Sequence, residues 1–229
     1  MHFVSRPMTD NREKSIRDYW DRKLVKWDQE VYDQRTGIVP RLRKSVEARM
    51  LTALEVLKPH LHETTVLDLG CGTGRMAMEC VKAGSQKAHG IDISPHAVAQ
   101  GNELIKNLNL TAQVSLVAGN IFQTPWPEAD IVLALGVLDW LNDTETDELI
   151  SRIKDKKFVL SYSEQDGSAA EILHRFYLVY PLLLKGKNVR ARHHTRHEIE
   201  AVLNKHGIKN RAYVKTKAAR FGVLVHNLD

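Results

Sequence analysis

The chain has 229 residues, of which 43% are hydrophobic and 27% charged, with a formal net charge of +5 and two cysteines. That length and balance predict one soluble globular domain and exclude a disordered chain, a collagen or a coiled coil. The apolar run at 131–138 falls far short of the roughly 20 residues a membrane-spanning helix needs.

Residues 1–22 mix Arg, Asp, Glu and Lys without an apolar segment, so no secretory signal is read there. Cys71 and Cys80 offer no disulfide framework, and a reducing, cytoplasmic location is the expectation. The charge is unevenly spread. Residues 1–60 hold 13 Lys or Arg against 9 Asp or Glu, residues 61–150 hold 4 against 12, and residues 151–229 hold 16 against 7. An acidic middle between basic flanks reads either as a solvated surface or as flanks that face an anionic partner.

Residues 10–33 are polar, with Ile16, Tyr19, Trp20, Leu24, Trp27 and Val31 recurring at three- and four-residue steps, which predicts an amphipathic helix. Pro40 opens a second helix with Leu42, Val46, Met50, Leu54 and Leu57 as its stripe, and Pro59 stops it. From Val66 the period changes. Short apolar runs at 66–69, 88–93, 113–117, 131–135 and 158–161 alternate with helical stretches at 76–83, 96–108 and 144–153. This alternation predicts right-handed βαβ units and an α/β, Rossmann-like, doubly wound sheet with an N-terminal helical extension. A helix over 168–184, a basic loop to 194, a helix over 195–206 and two closing runs at 208–216 and 221–227, read as a hairpin at the sheet edge, complete the chain. One domain is expected, divided into a helical lid at 1–60, a core at 61–165 and acceptor-side elements at 166–229.

The sharpest motif is Val66-Leu67-Asp68-Leu69-Gly70-Cys71-Gly72-Thr73-Gly74, a buried strand that runs into three alternating glycines at the start of a helix. Glycine is needed where the backbone turns tightly and approaches a ligand. A dinucleotide fingerprint places its third glycine one residue later, where Arg75 stands. No Gly-Lys-Ser/Thr follows, so phosphate cradling by a P-loop is excluded. Asp92 ends the next strand, 24 residues beyond Asp68, and is read as accepting from two ribose hydroxyls or, alternatively, as capping the helix near Pro95. Ile93 is placed to cover an adenine face. Asn120, with Ile121, ends the third strand, where it either accepts from an adenine amine or makes a turn.

Through these residues the chain resembles the class I S-adenosylmethionine-dependent methyltransferases, most closely over 40–165. The resemblance implies a seven-stranded sheet with one antiparallel strand near its edge. It implies S-adenosylmethionine as cofactor, with Asp68, Gly70, Cys71, Gly72, Thr73 and Gly74 around its methionine part and Asp92 and Ile93 at its ribose. Asn120 and Ile121 fall at its adenine, where the family usually has an acidic residue. Leu135 and Gly136, which end strand four, border the same cofactor. A looser likeness, through residues 39–46 and a long helix before a basic loop, is to the magnesium-protoporphyrin O-methyltransferases and is read as shared architecture.

Strand four lacks the Asn/Asp-Pro-Pro-Tyr/Phe of enzymes acting on adenine or glutamine amides and the Pro-Cys of carbon-5 cytosine enzymes. What remains is similar to small-molecule methyltransferases, many of which have a His where this chain has Asp139. Asp139 is therefore one candidate base, or a solvated turn acid. His194 is the other, its ordinary pKa suiting proton transfer. Trp20 and the basic residues Arg190, Arg192 and Arg196 are candidate contacts to a small anionic acceptor. His193 and His197 find no carboxylate or thiol at sensible spacing, so no metal is expected. Two alternatives stay open: an RNA methyltransferase, favoured by the basic last third, and a cofactor-binding partner subunit without catalysis.

Overall fold

The computed structural model describes residues 10–32, 43–167, 171–172, 191–216 and 222–229. The expected helix at 168–184, apart from residues 171–172, the basic stretch 185–190 with Arg190, and residues 39–42 lie outside the described residues.

Seven strands form one sheet: β1 (Thr65–Leu69), β2 (Lys87–Asp92), β3 (Val114–Ala118), β4 (Ile131–Leu135), β5 (Lys157–Ser163), β6 (Ala212–Lys215) and β7 (Gly222–His226). Their order is β3-β2-β1-β4-β5-β7-β6, and β7 runs antiparallel to both of its neighbours while β1 to β5 pair in parallel. The closing runs thus form the expected hairpin, with β7 as the one antiparallel strand near the edge and β6 as the edge itself.

The helices are α1 (Asp10–Tyr32), α2 (Arg43–Leu57), α3 (Arg75–Lys82), α4 (Pro95–Asn107), α5 (Asp143–Ile153) and α6 (Arg196–Lys205). Strand residues alternate between two apolar layers, as a two-faced sheet requires. Val66, Ile131, Leu133, Val159 and Leu224 pack with Ala53 and Leu57 of α2, Met76 and Cys80 of α3, and Val98 and Ile105 of α4. Leu67, Leu69, Val132, Ala134, Phe158, Leu160 and Val225 pack with Leu149, Ile150 and Ile153 of α5 and Ile199 and Leu203 of α6. Among the described residues no helix is long and apolar enough to cross a membrane.

Three helix starts are fixed by side chains. The Ser94 hydroxyl accepts from the Ala97 N–H at α4, while Asn142 with Glu145 at α5 and Thr195 with Glu198 at α6 form reciprocal capping boxes. Because consecutive strands turn away from β1 toward β2 on one side and β4 on the other, a crevice opens at their carboxyl ends, where open α/β sheets bind ligands.

Candidate functional site

The glycine loop begins at the end of β1. Gly70 has φ +72°, and a Cβ there would lie 2.5 Å from Val137 Cγ2, so both its backbone conformation and its approach to the end of β4 require glycine. The loop turns its N–H groups inward. Gly70 and Cys71 donate to the Ile91 carbonyl at 2.8 and 3.3 Å, Gly74 donates to the Cys71 carbonyl at 2.9 Å, and Gly72 donates to Asp92 Oδ2 at 2.8 Å. These four donors are spent on β2 and on the loop itself, so they make no cradle for a pyrophosphate, whose binding depends on such groups pointing outward.

Under the loop sit two buried carboxylates. Asp92 accepts from the Gly72 and Ser94 N–H groups, each at 2.8 Å, and Ser94 rather than Asp92 caps α4, so the capping alternative is set aside. A carboxylate has about four lone-pair sites; two are used here and two remain. Burial pushes the Asp92 carboxyl above its ordinary range, with its two backbone donors opposing the rise. Asp68 falls on the apolar face that packs against α2 and α3, and burial, with the nearby Asp92 charge, pushes its carboxyl up to about 8. Burial disfavours charge on this pair, and a cation seated over it restores that charge, so the site favours a cationic ligand over a phosphate. Cys71 and Thr73 are buried within the loop.

At the end of β3, Asn120 is buried and its amide is committed: Oδ1 accepts from the Phe122 N–H at 2.9 Å and Nδ2 donates to Glu13 Oε2 at 2.9 Å. The Phe122 N–H takes one of the two lone pairs of this oxygen, which leaves the other for the expected adenine amine. Ile121 is buried in the layer with α5, and Arg152 and Trp126 both donate to its carbonyl, which pins this turn. Ile93 is half-buried beside Asp92.

The end of β4 is built differently from the sequence expectation. Leu135 leads to Gly136, φ +80°, where a Cβ would sit 2.5 Å from Arg49 Nη1 of α2. Asp139 is no solvated turn acid. Its Oδ1 accepts from the Ser163 N–H at 2.7 Å, its Oδ2 from the Ser163 hydroxyl at 2.8 Å, and Arg49 Nη2 lies 3.6 Å from Oδ2. His194 is buried, with its Nε2 3.0 Å from the Leu138 carbonyl and its ring edge-on to Tyr162. A carbonyl only accepts, so Nε2 carries the proton and this ring braces the turn after β4. The geometry makes Asp139 and His194 framework groups rather than exposed bases.

Sequence reasoning missed how α1 crosses the crevice. Arg12 donates through Nη1 to both oxygens of Glu145 at 2.6 and 2.8 Å, and through Nη2 to the Trp140 carbonyl. Glu13 meets Asn120, and Asp21 accepts from the Ser94 hydroxyl. Tyr19 and Trp20 gather around Trp140, each with ring centroids 5.0 Å from it. Trp20 thus packs edge-on against Trp140, just past the end of β4. The signals available in sequence were the aromatic pair on α1 and the Asn142–Glu145 capping box; nothing local marked Arg12, Glu13 or Arg49.

The basic rim is largely self-paired. Arg192 donates to Asp143 at 2.7 Å, and Arg196 donates to Glu164 at 3.1 Å while stacking over the Tyr213 ring at 4.2 Å. Arg196 therefore belongs to the α6–β6 edge, away from its expected role. Among the described residues no group of His, Cys, Asp and Glu is arranged to hold a metal ion.

With this geometry established, residues 66–156 match the family model described as a methyltransferase domain. The ribosomal protein L11 methyltransferase of Clostridium botulinum is 29% identical over 120 residues, which are 52% of this chain and 37% of that protein. A putative protein N5-glutamine methyltransferase of Methanocaldococcus jannaschii is 30% identical over 123 residues, 52% of this chain and 56% of that protein. The chain thus spans about a third of the length of the first of these relatives and just over half of the second. Magnesium protoporphyrin IX methyltransferase from Synechocystis PCC 6803, crystallised with bound S-adenosylhomocysteine, superposes with a TM-score of 0.70 at 19% identity, covering 94% of this chain and 98% of that one. The strand order, the glycine loop with its acidic partner at the end of β2, and the matched segment agree: residues 66–156 form a methyltransferase domain, within a sheet of the fold that the Synechocystis enzyme shares.

Proposed function

We propose that the protein transfers a methyl group from S-adenosylmethionine to an oxygen, or a nitrogen, of a small acceptor that carries a negative charge. The observation that carries this reading is the glycine loop with four N–H groups turned inward above Asp68 and Asp92. Such a floor suits a cofactor with a positively charged amino group and sulfonium, and opposes the pyrophosphate of a dinucleotide.

The cofactor, when bound, supplies an electrophilic methyl group, so the protein's task is mainly to hold and align. In this reading Asp92 receives the ribose hydroxyls on its two remaining lone pairs, the loop from Gly70 to Gly74 surrounds the methionine part, and Ile93 and Ile121 flank the base. Leu135, Gly136 and Val137 border the methyl, and α1 closes over the crevice to exclude water. Arg49 supports the anionic acceptor. Its guanidinium lies against Gly136 at the carboxyl ends of β4 and β5, its Nε has no hydrogen-bond partner, and its contacts to Ser163 Oγ and Asp139 Oδ2 are long, at 3.4 and 3.6 Å. Asp139, fixed by Ser163, acts as a positioning residue for that guanidinium. The rings of Tyr19, Trp20 and Trp140 offer the acceptor an apolar wall.

The test is to incubate the protein with methyl-labelled cofactor and a metabolite extract and to search by mass spectrometry for labelled products. An acidic labelled product that disappears in the Arg49→Met variant is expected. S-adenosylhomocysteine (SAH) binding without any labelled product would favour a binding subunit, and label recovered only in RNA would overturn the small acceptor.

A further inference from the structure

We propose that Glu13, on the N-terminal helix, is a cofactor-specificity residue that receives the exocyclic amine of the cofactor's adenine; this rests on the reading that the crevice holds S-adenosylmethionine. Asn120 sets the geometry. The Phe122 N–H fixes the orientation of its amide, because only the oxygen can accept there, and the NH2 group must then face Glu13. An asparagine so held keeps one neutral oxygen lone pair and one free N–H of its Nδ2 group.

Glu13 adds a charged acceptor beside it, stronger than the neutral amide oxygen. Its Oε2 takes one Asn120 proton at 2.9 Å, and its Oε1 has no hydrogen bond to any described residue. The Asn120–Glu13 pair therefore presents one donor beside one acceptor at the end of β3. The free edge of adenine is the complement, an acceptor at N1 beside a donor at N6. Hypoxanthine presents the reverse, a donor at N1 and an oxygen at position 6, so it meets a carboxylate with a like-charged oxygen and an N–H with another N–H.

The same helix is anchored on both sides of this pair. Arg12 grips Glu145 and the Trp140 carbonyl one residue earlier, and Asp21 meets Ser94 two turns later. Eight residues of helix span about 12 Å, so one rigid element links the adenine end of the crevice to Ser94, whose N–H is held by Asp92. A lid helix that carries a base-reading carboxylate couples closure to the presence of the correct nucleoside.

The experiment compares SAH with S-inosylhomocysteine by calorimetry on the full chain, the Glu13→Gln variant and the Arg12→Met variant. The parent protein is expected to bind SAH at least tenfold more tightly than the inosine analogue. Glu13→Gln, whose amide can turn to donate or accept, should bring the ratio within about threefold. Arg12→Met loosens the helix without touching the base, so it should weaken both ligands and keep the parent ratio. A Glu13→Gln variant that retains the parent ratio would overturn the role given to Glu13 while leaving the cofactor reading intact. A parent protein that does not bind SAH would overturn both.

Discussion

Asp92 is where loop geometry and cofactor binding meet, so replacing its charge should be felt in both. In Asp92→Asn one oxygen survives to accept from either Gly72 or Ser94, now at 2.8 Å each, while the new NH2 group opposes the other N–H. Hydrogen bonds to charged groups contribute about 1.5–3 kcal/mol and neutral ones about 0.5–1.5 kcal/mol. Converting two ribose contacts from charged to neutral therefore costs about 2 kcal/mol or more, beyond the 1.4 kcal/mol that makes a tenfold change in affinity. The loop loses one brace of similar size, partly offset because the buried charge, which burial already disfavours, is gone. At about 2–4 °C per kcal/mol for a chain of this size, the melting temperature should fall by several degrees. Calorimetry with SAH at neutral pH, beside thermal melts of both proteins, reads the two effects separately. An unchanged Kd in a variant that melts at a lower temperature would show that Asp92 only braces the loop, and the ribose assignment would fall.

Four further outcomes follow from the same geometry. Asp68 holds its proton up to about 8 in the folded protein but only to its ordinary value near 3.8 when unfolded, so its contribution is full below that lower value and is lost as pH rises through about 8; melting temperature should fall over that window, and Asp68→Asn should flatten the fall. Over the same window SAH, which carries an ammonium, should bind more tightly as Asp68 ionises, and a Kd independent of pH between 6.5 and 8.5 would contradict an ammonium near Asp68. Removing residues 1–33 should abolish turnover while circular dichroism still reports the sheet, and full activity in the truncated protein would deny α1 its role as a lid. Gly70→Ala adds a Cβ 2.5 Å from Val137 Cγ2 at a φ of +72°, which should cost about 2–4 kcal/mol in strain and overpacking, visible as a lowered denaturation midpoint.

Much of the fold was legible because its signals are local. β1, β4 and β5 are buried on both faces and read as short continuous apolar runs, and the glycine loop announces itself by spacing alone. The place of β7, the one antiparallel strand beside the edge, was legible only through the family resemblance, because an apolar run does not itself say which neighbours it pairs with. At the site, Asp92 stood out in sequence because it ends the strand beside the glycine loop, and the structure places it under that loop. Asp139 and His194 misled for a related reason. Polar residues near strand ends look available in sequence, but Ser163 and the Leu138 carbonyl, contributed by other elements, consume them. Arg196 was drawn to Glu164 and Tyr213 in the same way. The latches of α1 join residues more than 70 positions apart, and such pairs leave no periodic trace.

The claim on which the account rests is that the crevice at the ends of β1, β2 and β4 holds S-adenosylmethionine rather than a pyrophosphate-bearing nucleotide. Parallel calorimetric titrations of the purified protein with SAH and with NAD test it most directly. Saturable one-to-one binding of SAH and no measurable heat with NAD is the predicted result; saturation by NAD with no response to SAH would contradict it.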